Sequence, residues 1–251
     1  MDEVLEALRA QRDELDGILA RLDDDAWATP TPRCPGWTVA DVVLHLAQTD
    51  EAAIDSAEGR LTALADFTGA GETLRDVDDL AALAVANERG ASGAELYARW
   101  RSAAERQWAS LAACEPSRRV RWVAGEMAAR TLATTRLSEC WIHTGDIADA
   151  LRLELVPSDR LWHIARLAWR TLPYAFARDD RALSGPVALN LRAPDGSVWE
   201  LREDGEAVTT VTGPALEFCL VAGQRLRASE SALVAEGPDA ASVLELVRTF
   251  A

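Results

Sequence analysis

The sequence predicts an α+β protein: an N-terminal four-helix bundle over residues 1–178, followed by a small mixed α/β domain over 179–251. Three observations lead there. Four long segments repeat apolar residues at helical spacing. Proline and glycine collect in the stretches between elements. After about Asp180 the pattern changes to alternation around a turn sequence, as strands require.

The first helix is expected over residues 3–24, with Val4, Leu5, Leu8, Leu15, Ile18, Leu19 and Leu22 on one face and charged residues on the other. Asp23-Asp24-Asp25 suits a helix C-terminus poorly, so the chain turns there. Three prolines make a loop of Thr29 to Gly36. Thr38 and Asp41 then form a capping box, and Trp37 and Val42 a hydrophobic staple, opening a second helix from Val39 to about Ala57. Residues 59–91, broken by Gly69, Gly71 and Gly90, leave room for one short helix from Asp76 to Glu88. Ser92 and Glu95 repeat the box and open a third long helix carrying Leu96, Trp100, Ala103, Ala104 and Leu111, which ends near Cys114.

Ser117 to Gly125 reads as a connector, packed through Val120, Trp122 and Val123. The fourth long helix is expected from Glu126 to Leu153, a stretch without proline and rich in Ala, Leu, Arg and Glu. A fifth runs from Asp159 to about Tyr174, with Leu161, Ile164, Leu167 and Ala168 inward. In the second domain, Val187, Leu189 and Leu191 alternate, Ala193-Pro194-Asp195-Gly196 turns, and Trp199 and Leu201 alternate again, which is a hairpin. A strand over Ala207 to Val211, a helix after Gly213-Pro214, a strand over Ala232 to Ala235 and a helix from Pro238 through Phe250 complete the chain.

The formal net charge is -15, from 41 acidic against 26 basic residues. Such a chain repels nucleic-acid backbones and anionic membrane surfaces, so neither is expected as a partner. Every basic residue is Arg, which excludes lysine Schiff-base chemistry and a Walker-type lysine. The four cysteines, Cys34, Cys114, Cys140 and Cys219, form no CxxC pair and no disulfide-dense pattern. With no signal-like start and no apolar run of spanning length, a reducing cytoplasm is the expected location.

Chemistry concentrates on the fourth long helix. Glu139 and His143 stand four residues apart and so share a face, within a stripe that includes Leu132 and Ile147. Turning a carboxylate and an imidazole inward is costly unless something satisfies them, and a divalent metal would. Such pairs also arise by chance as ordinary solvated or hydrogen-bonded neighbours, so a second helix must supply a third ligand. His45, amid Val42, Leu46 and Thr49, is the candidate; the plain alternative is a packed core histidine. Two imidazoles and a carboxylate suit zinc with positions left open, and manganese, iron or nickel fit the same donors. His163 has no acidic or histidine neighbour at helical spacing and reads as structural or exposed. Asp146, Asp50 and Thr49 are candidates to brace the imidazoles. Cys34, just before the second helix, could feel its N-terminal dipole, which favours a thiolate, but simple loop packing is preferred. Cys140 points about 100° away from Glu139, so it is not expected to be a ligand.

The segment Pro35-Gly36-Trp37-Thr38-Val39 leading to His45, the segment Ser138-Glu139-Cys140-Trp141-Ile142-His143 with Asp146 to Leu151, and Thr212-Gly213-Pro214-Ala215-Leu216-Glu217-Phe218-Cys219 together resemble the DinB-like metal-binding bundles. Within them the chain is most similar to the mycothiol-dependent maleylpyruvate isomerase group and its actinobacterial relatives. The resemblance implies a zinc or similar ion held by His45, Glu139 and His143, and a C-terminal domain of sterol-carrier-like outline. It implies a low-molecular-weight thiol such as mycothiol at the metal, whose thiolate serves isomerisation or transfer on a small-molecule substrate. It also implies an arginine for substrate carboxylates, for which Arg225 is the nearest candidate. The alternative function is a non-catalytic protein that binds metal, thiol or an apolar ligand. A purely structural zinc would normally take four protein ligands. The oligomeric state is open, with a homodimer as one option.

Overall fold

The computed structural model describes residues 1–60, 77–123 and 125–249. Gly69, Gly71, Asp76 and Phe250, which carried expectations above, lie outside the described residues. The chain divides into two compact units, Met1–Leu155 and Val156–Ala251. This division falls earlier than the expected boundary near residue 178.

The first unit is helical. Its elements are α1 (Asp2–Leu19), α2 (Asp24–Trp27), α3 (Val39–Glu58), α4 (Val77–Glu88), α5 (Gly93–Ala112) and α6 (Ala129–Leu151). Two short antiparallel strands, β1 (Arg119–Trp122) and β2 (Gly125–Ala128), precede α6. The four long helices α1, α3, α5 and α6 make the bundle, with α3 packed along α5 and α1 along α6. Leu15, Val42, Val43, Leu46, Val85 and Ile147 are fully or almost fully buried in its core. Each such leucine or isoleucine contributes roughly 1.5–3 kcal/mol over its exposed state.

Local chemistry sets the helix starts. Thr38 Oγ1 accepts from the Asp41 amide at 3.4 Å, and the Asp41 carboxylate accepts from the Thr38 amide at 2.9 Å. Ser92 and Glu95 do the same for α5. Asp23, read as a poor helix end, instead caps α2 by accepting from Ala26 N at 2.9 Å.

The segment before α6 departs from expectation. Glu126–Ala128 belongs to a strand rather than to the helix, because Val120 pairs with Met127 and Arg119 with Ala128. Val120 and Trp122 turn inward while Arg119 and Arg121 face out, an alternation too short to stand out in the sequence.

The second unit holds α7 (Leu161–Arg170), α8 (Leu172–Arg178), β3 (Val187–Arg192), β4 (Val198–Leu201), β5 (Thr209–Pro214), α9 (Ala215–Ala222), β6 (Val234–Glu236) and α10 (Ala240–Leu246). The expected fifth helix is therefore two. Pro173, which lacks an amide donor, sits in the first turn of α8, and the break falls at Thr171. The sheet order is β4-β3-β5-β6, with β3 antiparallel to β4 and parallel to β5. The expected hairpin turn is closed by Ala193 N donating to Ser197 O at 2.8 Å, with Gly196 at φ +87°. α7 packs on α9, and Leu161, Ile164, Phe218 and Cys219 are buried. No described helix is long and apolar enough to cross a membrane.

Candidate metal centre

Two helices of the first unit supply the site. The capping box fixes the start of α3, and Arg89 adds a 2.8 Å ion pair to Asp41, so His45 in the second turn is held in place. On α6, the four-residue spacing puts Glu139 and His143 on one face, turned toward α3. Glu139 Oε1 lies 2.7 Å from His45 Nε2 and 3.5 Å from His143 Nε2. The two imidazole centroids are 5.0 Å apart, edge to face. All three side chains are buried, at 6–8% exposure.

Burial lowers the affinity of His45 for a proton, and its hydrogen bond to Glu139 does not restore it, so this ring is held below the ordinary imidazole value. His143 is opposite in sense. Burial disfavours its charge, but hydrogen bonds with Cys34 and to the accepting carboxylates of Asp146 and Glu139 outweigh that and raise it well above the ordinary value. Burial would likewise raise Glu139, yet the two imidazoles hold it well below the usual carboxylate range. A buried carboxylate between two imidazoles is thus kept ionised by its neighbours.

The donor set suits a divalent ion. The ligand atoms of His45, Glu139 and His143 all lie within 4.8 Å of one another. Two nitrogen or oxygen donors on a tetrahedral zinc ion stand about 3.3 Å apart. The separations of 2.7 and 3.5 Å found here bracket that value. Both imidazoles present Nε2, and the Nδ1 of His143 is engaged elsewhere, by Asp146 Oδ2 at 2.9 Å.

Of the expected bracing residues, only Asp146 faces an imidazole. Asp50 instead joins a buried ion network, 3.4 Å from Arg12 and 3.2 Å from Arg136, and accepts from Gln107 Nε2 at 2.6 Å. Thr49 Oγ1 accepts from Arg136 at 2.8 Å and donates to the His45 carbonyl at 2.9 Å. Arg12, a charged residue of α1, is buried between Leu8 and Leu15 rather than facing solvent. Trp37 packs on the His45 ring at 5.2 Å between centroids.

Cys34 was missed. Its Sγ lies 3.4 Å from Asp146 Oδ2, so the loop before α3 reaches the far side of His143. No local signal reveals a contact across 112 positions. Cys140 is buried, its thiol pushed up to about 12 by burial, and it is not part of either donor group. His163 lies half-buried on α7 in the second unit. Arg225 also belongs to the second unit, just after α9; its guanidinium donates to the Gly223 carbonyl at 3.1 Å.

Residues 8–148 match the family described as the mycothiol maleylpyruvate isomerase N-terminal domain. Uncharacterised proteins of Mycobacterium tuberculosis strains CDC 1551 and H37Rv are each 37% identical to the chain, across 97% of it and 93% of their own length. Crystal structures of the mycothiol-dependent maleylpyruvate isomerase and of a point mutant of it share this fold. Each has a TM-score of 0.62 and covers 95% of both chains, at 19% and 18% identity.

Proposed function

This chain belongs to the mycothiol maleylpyruvate isomerase family defined by that N-terminal domain, and from that premise we propose that it is a divalent-metal protein using a low-molecular-weight thiol for isomerisation or transfer. Zinc is the preferred ion and mycothiol the preferred thiol. One observation carries the reading: His45 Nε2, His143 Nε2 and Glu139 Oε1 converge from two helices inside a buried core.

A divalent ion at this position supplies positive charge that keeps a coordinated thiol deprotonated. The chain's own residues prepare that chemistry. Asp146 accepts the Nδ1 proton of His143, which leaves Nε2 as the lone-pair nitrogen facing Glu139. Burial biases the His45 ring toward its neutral form; its Nε2 proton, now shared with Glu139, would shift to Nδ1 for an ion to take that nitrogen. Glu139 contributes the one negative charge of the set, so the charge of a bound dication is not cancelled. Three protein donors leave room for a guest. Trp37 packs against the His45 ring on one side.

Cobalt-substituted protein titrated with mycothiol tests the reading. A new thiolate-to-cobalt absorption that saturates at one thiol per metal supports it. An unchanged spectrum with mycothiol and with other small thiols contradicts it.

A further inference from the structure

A second donor group stands on the other edge of the His143 ring. Cys34 Sγ lies 3.4 Å from Asp146 Oδ2, and His143 Nδ1 lies 2.9 Å from the same oxygen. The ligand atoms of the three residues all fall within 4.8 Å of one another. Asp146 is 1% exposed, while Cys34 is partly buried. An ion pair of 3.5 Å between Arg33 and Asp149 ties the Cys34 loop to α6 beside Asp146.

We propose that Cys34 Sγ, His143 Nδ1 and Asp146 Oδ2 form a distinct site for a thiophilic divalent cation such as zinc or cadmium. The donor types select the ion: a thiolate with an imidazole and a carboxylate favours soft or borderline metals over magnesium or calcium. The spacing agrees. Sulfur and oxygen on one tetrahedral zinc ion stand about 3.5 Å apart, against 3.4 Å between Cys34 and Asp146. The nitrogen–oxygen distance is short because a hydrogen bond now closes it, and it opens when an ion replaces that proton. Binding releases the Cys34 thiol proton and the His143 Nδ1 proton to solvent.

The two donor groups share His143 through its two nitrogens. Occupied together, they contain the Glu139 and Asp146 carboxylates, the Cys34 thiolate and an imidazolate at His143. That is one negative charge for each positive charge of two dications, so the pair of ions is compensated within the buried site. This site does not rest on the thiol chemistry proposed above, and it draws no donor from His45 or Glu139.

The test is titration of the metal-free, full-length protein with cadmium alone, no thiol added, following the ultraviolet thiolate-to-cadmium band. Cys34→Ser, His45→Ala and Glu139→Gln are measured beside the wild type. The band is expected in the wild type, absent in Cys34→Ser, and retained in His45→Ala and Glu139→Gln, which alter only the other donor group. Cys114, Cys140 and Cys219 remain in Cys34→Ser and report any background. No band in the wild type, an equal band in Cys34→Ser, or loss of the band in both His45→Ala and Glu139→Gln overturns the proposal. Failure of the other donor group reads out separately, as an undiminished cadmium stoichiometry in His45→Ala.

Discussion

His45 Nε2 lies 2.7 Å from Glu139 Oε1, although 94 positions separate the two residues in the chain. The contact joins α3 to α6 inside the bundle and brings the third histidine-or-carboxylate donor to the pair already on α6. Fold and proposed chemistry meet at this point.

Asp146 Oδ2 engages His143 Nδ1 at 2.9 Å and so turns Nε2 toward Glu139, the route by which it would act on the proposed metal. Asp146→Ala is expected to weaken binding at the His45, Glu139 and His143 group by about 10–100-fold. Asp146→Asn, which keeps an oxygen acceptor, costs less. Competition against a chromophoric chelator measures both, with the Cys34→Ser background isolating this group from the neighbouring one.

Metal affinity should rise with pH. His143 in the metal-free protein holds its proton more tightly than a free imidazole, while His45 is already biased to the neutral form. A bound ion must displace the His143 proton, so binding releases about one proton per ion from this group in the window where His143 is charged. The sign for stability of the metal-free fold is the reverse. A raised His143 value contributes stability below the unfolded imidazole range and loses it as pH climbs through the folded value; the depressed Glu139 value contributes above the unfolded carboxylate range and loses it on acidification. Calorimetric titration in buffers of different ionisation enthalpy reads the proton count, and an affinity independent of pH would contradict the assignment.

Asp50 pairs with two buried guanidiniums, Arg12 and Arg136. Asp50→Ala leaves both without that charge and should cost about 3–5 kcal/mol of stability. Urea unfolding monitored by helix signal measures it. A loss below about 1 kcal/mol would place the network among weak surface-like pairs.

Arg225 tests the substrate half of the proposal. If it holds a substrate carboxylate, Arg225→Ala removes a charged hydrogen bond of roughly 1.5–3 kcal/mol, or about 10–100-fold in KM. Metal content should stay at the wild-type level. Turnover of maleylpyruvate and related unsaturated acids with mycothiol provides the assay; an unchanged KM removes the role.

Local chemistry made much of the fold legible. Thr38 with Asp41, and Ser92 with Glu95, announce helix starts through hydrogen bonds within four residues, and both boxes form. Glu139 and His143 were readable for the same reason, since helical spacing alone sets them on one face. What stayed hidden depends on distant partners. Cys34 gains its meaning only from Asp146, and β2 only from its pairing with β1. Arg12 had the spacing of a core position between Leu8 and Leu15, but its charge argued for solvent; Asp50, Gln107 and the Ala104 carbonyl on other helices compensate its burial. Pro173 was visible in the sequence, yet the continuous apolar stripe from Leu161 onward masked the break it marks.

Metal analysis of the three histidine variants tests the central claim most directly, because His45, His143 and His163 are the chain's full set. Each variant is prepared in the Cys34→Ser background, loaded with zinc, dialysed and measured by elemental analysis. The account predicts one tightly held zinc per chain in the background protein and in His163→Ala, and none in His45→Ala or His143→Ala. Zinc retained in His45→Ala at the background level would contradict it.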